Sequence, residues 1–304
     1  MKSFILLLTL MATSVFAQKP LWLRYPSISP DGSTIVFTYQ GDLYSVPAAG
    51  GQASLLTIHP AHDFMPVWSP DGKTIAFASD RFGNFDIYTI PATGGSAQRL
   101  TYHSSHDYPS AFTPDGKNVL FNASRVDLET YADFPNRAMP ELYSVPVTGG
   151  RNTQVLTTPS ELASYDASAN RIYYHDRKGY EDPWRKHHRS SIARDLWVYD
   201  VRNGTHTQLT QDAGEDRNPV TDPEGNYLYY LSEQSGNYNV HRLSLSQPND
   251  KTQLTTFTKH PVRFLSVSKN GTLCFSYDCL LYTAPSPRDK RRARMPSSAG
   301  KKER

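Results

Sequence analysis

The stretch MPVWSPDGKTIAFASDRFGNFDIYTIPATGGSAQRLT, residues 65–101, contains four short apolar segments separated by turn signals. Its tetrapeptide SPDG favours a tight turn, because Pro presets φ at one position and Gly accepts the left-handed conformation that reverses the chain. The segment KTIAFAS is rich in β-branched and aromatic residues, and FDIYTIP ends at a Pro, where no ladder donor is needed. ATGG then supplies another turn before the final RLT. The stretch therefore predicts a four-stranded antiparallel sheet.

The same unit recurs along most of the chain. Its turn residues and its closing LT dipeptide return with small changes in five units, and a sixth unit is cut short. The predicted units are 25–57, 65–101, 108–157, 162–210, 216–255 and the incomplete 262–278. Four strands in a unit of roughly 40 to 50 residues are typical of a β-propeller blade. The sequence therefore predicts an all-β fold, a six-bladed β-propeller whose last blade is incomplete.

The amino terminus, MKSFILLLTLMATSVFAQ, has the pattern of a signal peptide over residues 1–17. Lys2 precedes an apolar run that is too short to span a bilayer permanently, and small residues precede the expected cleavage site after Ala17. We therefore expect a propeller over residues 18–278 that is exported to the periplasm or cell envelope. No membrane span is expected after cleavage.

The carboxyl terminus, CLLYTAPSPRDKRRARMPSSAGKKER (residues 279–304), differs in composition from the rest of the chain. It holds eight Lys and Arg against two acidic residues, so it carries a formal charge of +6, and residues 1–278 carry −3 of the chain's net +3. The segment resembles the translation of a transposon mosaic-end sequencing adapter, and we interpret it as a non-native tail. On this interpretation the native gene is interrupted near Asp278. The basic charge then gives no reason to expect a nucleic-acid partner.

The repeats resemble the WD40-like propeller repeats of TolB, of dipeptidyl and prolyl peptidases, and of tricorn-like peptidases. Two features favour the tricorn-like group. The propeller begins directly after the signal peptide, where TolB would place a small α/β domain, and GYEDPWRKHHRSSIARDLWVYD (179–200) resembles a segment of exported tricorn-like peptidases. The resemblance implies a truncated amino-terminal propeller whose peptidase domain lies further downstream. No residue here matches the family's catalytic residues.

The sequence predicts no catalytic residue, no metal site and no cofactor. A nucleophile elbow, an HExxH motif and a Walker loop are all missing from it. The Asp residues of the PDG turns are interpreted as turn formers. His59, His62, His103 and His106 recur at matching points of two units, which favours a repeated loop cap over a ring of His around one mouth of the channel.

Two inserts between the second and third strands of neighbouring blades are the candidate binding regions. They are residues 125–140 in blade 3 and residues 176–195 in blade 4, the latter named here the blade-4 insert. Loops at one strand end emerge on one face, so the two inserts are expected side by side. Cationic side chains of the blade-4 insert could bind a peptide carboxylate beside an apolar anchor, which gives Trp184, Arg185, Lys186, His188 and Arg189 as candidates. Docking of the inserts against another domain or subunit is the alternative.

Two functions remain open at this point. The chain is either the non-catalytic propeller of a secreted tricorn-like serine peptidase, gating or docking oligopeptides for a peptidase domain, or a TolB-like interaction propeller of the envelope. The expected partners are therefore oligopeptides or the parent protein's own downstream domains, with homo-oligomers possible in either case. We expect the chain as written to be inactive as a peptidase.

Overall fold

The computed structural model describes residues 22–125, 139–179, 182, 184–187 and 189–285. Its strands form six antiparallel sheets in chain order, and the first strand of each sheet contacts the first strand of the next. The first and last sheets also contact each other through their first strands, so the ring is closed. The predicted six-bladed propeller is thereby confirmed. The signal peptide expected at residues 1–17 lies outside the described residues, among which no helix is long and apolar enough to cross a membrane.

The first three blades hold strands β1 to β12: Arg24–Ile28, Thr34–Tyr39, Asp42–Pro47 and Ser54–Leu55; Asp63–Trp68, Thr74–Ser79, Asp86–Pro91 and Gln98–Arg99; Asp107–Phe112, Asn118–Ala123, Glu141–Pro146 and Thr153–Leu156. Blades 4 to 6 hold β13 to β23: Ser160–Tyr165, Arg171–Asp176, Leu196–Asp200 and Thr205–Gln208; Asp216–Thr221, Tyr227–Ser232, Asn239–Ser244 and Lys251–Gln253; Arg263–Val267, Leu273–Tyr277 and Leu280–Ala284.

Blade 6 has three strands among the described residues, as the expected incomplete blade requires. Its third strand, Leu280–Ala284, lies within the predicted tail, so the ordered blade extends past Asp278. Tyr282 pairs with Phe275 and stacks on it at 6.1 Å between ring centres. Blades 1 to 3 contain the same stacked Phe and Tyr pair across their second and third strands. Residues 280–284 therefore fit the repeat, whether the codons that encode them are native or derive from an adapter.

The turns between first and second strands show why SPDG repeats. In blade 2 the Asp71 carboxylate accepts hydrogen bonds from the Ser69 hydroxyl and the Lys73 backbone N–H. Gly72 has φ of 71°, in the left-handed region where a Cβ is disfavoured. These turns all lie on one face of the propeller, here called the lower face. The upper face carries the connections between blades and the turns between second and third strands.

A hydrogen bond that the hydroxyl of the closing Thr accepts explains the repeated LT dipeptide. The Thr101 hydroxyl accepts a hydrogen bond from Ile87 N at 2.9 Å, and Thr57, Thr210 and Thr255 accept the equivalent bonds in blades 1, 4 and 5. All four Thr side chains are buried. Each bond satisfies an amide of the third strand at the point where the short fourth strand ends.

Five of the six inner strands carry the same β-bulge, in which two residues oppose one on the second strand. The first residue of each bulge has a left-handed φ of 49° to 58°; these residues are Tyr25, Met65, Leu162, Asn218 and Phe264. Bulges re-aim side chains and commonly occur beside functional sites. Here they lie on the strands that line the channel.

Candidate functional site at the upper mouth

The described residues of the blade-4 insert contact three other blades at the upper mouth of the channel. The guanidinium carbon of Arg24, in blade 1, lies 4.8 Å from the centre of the Trp184 ring. Phe264, in blade 6, packs against the same ring edge to face, with ring centres 5.9 Å apart. The backbone N–H of His187 donates a 2.8 Å hydrogen bond to Glu233 of blade 5. The insert therefore crosses the mouth instead of projecting away from it.

Two guanidinium groups contact the indole of Trp184. Arg263 lies 4.8 Å from the ring centre and also donates a 3.1 Å hydrogen bond to the Trp184 carbonyl. Burial, followed by the charge of Arg217, lowers the pKa of Arg263 to about 10. Such contacts are attractive because the face of an aromatic ring is electronegative. Arg24 also lies 4.9 Å from the exposed Trp22 ring, so it is held between two indoles.

Aromatic side chains from the inner strands of four blades contact one another next to Trp184, at the upper end of the channel. Tyr25 and Phe264 have ring centres 4.2 Å apart, and Tyr25 lies 5.3 Å from Phe64. Phe64 in turn lies 5.9 Å from Tyr108, so the contacts run from blade 6 through blades 1 and 2 to blade 3. We call Tyr25, Phe64, Tyr108 and Phe264 the aromatic floor. The mouth is consequently a cup with an apolar base.

An ion-pair network borders the other side of the mouth, in blades 4 and 5. Glu161 accepts hydrogen bonds from Arg177 and from Arg194, the latter at 3.2 Å, and Arg194 also pairs with Glu215 at 2.5 Å. Burial raises the pKa of Glu161, but its bond to His175 and the two cations outweigh burial and hold the pKa well below its usual range. Burial lowers the pKa of His175 despite Glu161. The rim is therefore polar and pre-organised.

The described candidate residues of the insert lie at two separate places. Trp184 is 42% exposed at the mouth, and the exposed Arg185 and Lys186 follow it directly. Arg189 instead lines a surface cavity of about 400 Å³ between blades 4 and 5, beside Lys178 and Asp212. His188 and most of the blade-3 insert, residues 126–138, lie outside the described residues, so their place beside this site stays a prediction.

The recurring His residues cap loops, as the sequence indicated. Nδ1 of His59 accepts a 3.0 Å hydrogen bond from Ala61 N, and Nδ1 of His103 accepts the same bond from Ser105 N. Within the described part of the chain, no three His, Cys, Asp or Glu residues are grouped so that they could hold a metal ion. The repeat therefore has a structural explanation.

Sequence reasoning missed Arg24, Arg263 and Phe264. A signal for the two arginines was present, because Arg24, Arg217 and Arg263 each directly precede the bulged residue of their inner strand. That common position places three arginines at the upper end of the channel. Their contact with Trp184 depends on the path of the blade-4 insert, which the repeat does not specify.

Comparison with solved structures gives the same architecture. Putative TolB from Agrobacterium tumefaciens matches with a TM-score of 0.62 at 20% identity, covering 77% of this chain and 80% of that chain. Tricorn protease matches with a TM-score of 0.69 at 20% identity, covering 87% of this chain and 26% of that chain. TolB from Acinetobacter baumannii gives 0.55 at 18% identity, with 74% and 52% covered. A search of curated proteins found no match.

Comparison of the sequence with protein families is more specific than these comparisons of fold. The profile of the family described as "Tricorn protease N-terminal beta propeller domain" matches residues 20–290, which is most of the chain. The match spans all six blades, including the third strand of blade 6. The chain therefore belongs to the family of tricorn protease N-terminal β-propeller domains.

Proposed function

We propose that this chain is the non-catalytic propeller of an exported tricorn-like serine peptidase and that its upper mouth docks oligopeptides. The observation that carries the proposal is the contact of Trp184 with Phe264 and Arg24 at the mouth, and the exposed cations Arg185 and Lys186 follow Trp184 directly in the chain. Apolar surface with a few convergent cations suits a peptide that presents both side chains and carboxylates. Hydrolysis belongs to a domain elsewhere in a longer parent protein; tricorn protease itself is about four times the matched length.

Docking suits this mouth better than free passage through the channel. The aromatic floor joins side chains from four blades by ring contacts of 4.2 to 5.9 Å. A peptide entering from above would therefore meet packed rings before it reached the lower face. The polar network around Glu161 keeps one wall of the cup fixed while the ligand binds.

The alternative is a TolB-like interaction propeller of the cell envelope. The match to putative TolB favours it, since this chain covers 80% of that structure. In that case a folded protein would bind the upper face, and short peptides would bind no more tightly there than elsewhere.

Binding of a fluorescent acidic octapeptide with a free carboxylate, measured by anisotropy, separates the two functions. We expect the double variant Arg185→Gln, Lys186→Gln to weaken binding by about tenfold and to reduce its salt dependence. The matched control is Lys73→Gln, Lys117→Gln, which removes two cations from the turns of the lower face. Equal effects of both double variants, or the absence of binding, would contradict peptide docking at the mouth.

A further inference from the structure

The side chain of Trp184 occupies a position built entirely by other blades. Arg24 comes from blade 1, and Arg263 and Phe264 come from blade 6. We call the surface formed by these three side chains the indole site. A side chain from a long insert of blade 4 thus lies where a ligand from outside the propeller could equally lie.

The chemistry of the indole site is selective for a flat aromatic group. Two guanidinium carbons each lie 4.8 Å from the ring centre, and Phe264 meets the same ring edge to face at 5.9 Å. Cations interact with the electronegative face of a ring, and an edge-to-face partner requires a ring as well. An aliphatic side chain would fill the volume but would make neither interaction.

Two features indicate that Trp184 is a replaceable occupant. Its side chain remains 42% exposed, whereas the aromatic residues of the blade cores are almost fully buried. The site also continues downward into the aromatic floor through Tyr25, which lies 4.2 Å from Phe264. A ring displaced from this position therefore uncovers a site that already has its walls and its base.

We propose that the indole site binds an aromatic side chain of a peptide and that Trp184 fills it in the absence of ligand. This inference rests on the proposed peptide docking, which it deepens by naming the side-chain class. Occupation by Trp184 then weakens peptide binding. The apparent association constant is the intrinsic constant multiplied by the fraction of molecules in which the site is open.

The test compares acetyl-Gly-Gly-Phe-Gly-amide with acetyl-Gly-Gly-Ala-Gly-amide by isothermal titration calorimetry on the full chain. Both peptides lack terminal charges, so they report only the side chain. We expect the Phe peptide to bind about tenfold more tightly to the Trp184→Ala variant than to the wild type. The Ala peptide should gain much less, and Arg24→Met in the same background should reduce the preference for Phe.

Tyr102→Ala is the matched control. It removes an exposed ring whose centre lies 4.5 Å from Arg99, a residue of the outer strand of blade 2, whereas the indole site is built on the inner strands of blades 1 and 6. We expect it to leave both affinities unchanged, and thermal melting checks that each variant folds. If Trp184→Ala binds both peptides equally, or binds neither, the indole site is not an aromatic subsite. Retained binding of the acidic octapeptide would show that peptide docking survives that outcome.

Discussion

Arg24 and Trp184 lie in contact although their blades are three positions apart in a ring of six, with the guanidinium carbon 4.8 Å from the indole centre. Blades so placed stand opposite each other, so the contact requires the blade-4 insert to reach across the mouth. The two residues are 160 positions apart in the chain, and only closure of the ring brings them together. The contact makes the upper mouth a site assembled from the whole propeller.

Buried ion pairs fix the upper ends of blades 2 and 3, and their loss should be costly. Arg81 donates a 2.9 Å bond to Asp63, which is fully buried, and Arg125 pairs with Asp107 in the same register. We predict that Arg81→Met lowers the free energy of unfolding by about 3 kcal/mol, because it leaves a buried carboxylate without its cation. Urea denaturation measures this change.

The control for that variant is Lys117→Met. Lys117 also faces an Asp, at 3.9 Å, but both side chains are mostly exposed. Surface pairs contribute little, so we expect a change below about 0.5 kcal/mol. Similar decreases in the free energy of unfolding of both variants would show that the buried ion pair stabilises the fold no more than the exposed one.

Blade 5 has the carboxylate of this motif without its cation. Asp216 occupies the place of Asp63 and Asp107, but Gln234 stands where Arg81 and Arg125 stand in their blades. Asp216 is fully buried, and within the described residues no cation forms an ion pair with it; hydrogen bonds from the Ser232 and Thr210 hydroxyls lower its pKa only in part. The groups around it are the hydroxyls of Ser232, Thr210 and Tyr230 and the ion pair of Asp212 with Lys251.

The unpaired Asp216 should make stability depend on pH. Burial raises its pKa to about 7, above the value of about 3.9 in the unfolded chain. The folded state therefore holds this proton more tightly, and the stability that results is present below about pH 4 and is lost as the pH rises to 7. In the wild type this group should lower the free energy of unfolding by up to about 4 kcal/mol between pH 4 and pH 8, and we predict that Asp216→Asn abolishes that decrease.

Gln234→Arg provides an independent check of the same site. The new cation would take the position of Arg81 and Arg125, so it should stabilise the chain at pH 8 and flatten the same part of the pH profile. Chemical denaturation at several pH values measures both variants against the wild type. A profile unchanged by either substitution would show that Asp216 is already ionised and paired.

The sequence predicted the fold well because the propeller repeats its local rules. SPDG, the closing LT and the alternating strands each have a local hydrogen bond or φ requirement, such as Gly72 in its turn and Thr101 at its strand end. The site was predicted only in part. Trp184 was identified from its insert, but Arg24 and Arg263 are its neighbours through ring closure, a long-range relationship that no local pattern encodes.

The adapter interpretation of residues 279–304 predicts a specific DNA sequence. A long read of the source DNA across the codon for Asp278 should leave the adapter-like bases and continue in frame into further coding sequence. We expect a PDZ-like and peptidase region there if the parent is a tricorn-like peptidase. Genomic DNA that encodes Cys279 to Arg304 would contradict the interpretation and would make strand Leu280–Ala284 a native part of blade 6.

The chain as written should hydrolyse no peptide. The described residues at the mouth supply cations, rings and paired carboxylates, and the sequence has no nucleophile elbow. Mass spectrometry of an oligopeptide mixture incubated with purified chain checks this expectation. Turnover that disappears when a residue of this chain is mutated would contradict it.

The most direct test of peptide docking at the upper mouth is photo-crosslinking. An acidic octapeptide carrying a benzophenone group would be irradiated with the full chain, and the attached residues would be identified by mass spectrometry. We predict attachment to the blade-4 insert and to the neighbouring ends of the inner strands, around Trp184, Arg24 and Phe264. Attachment mainly to the lower-face turns or the outer strands would contradict the account.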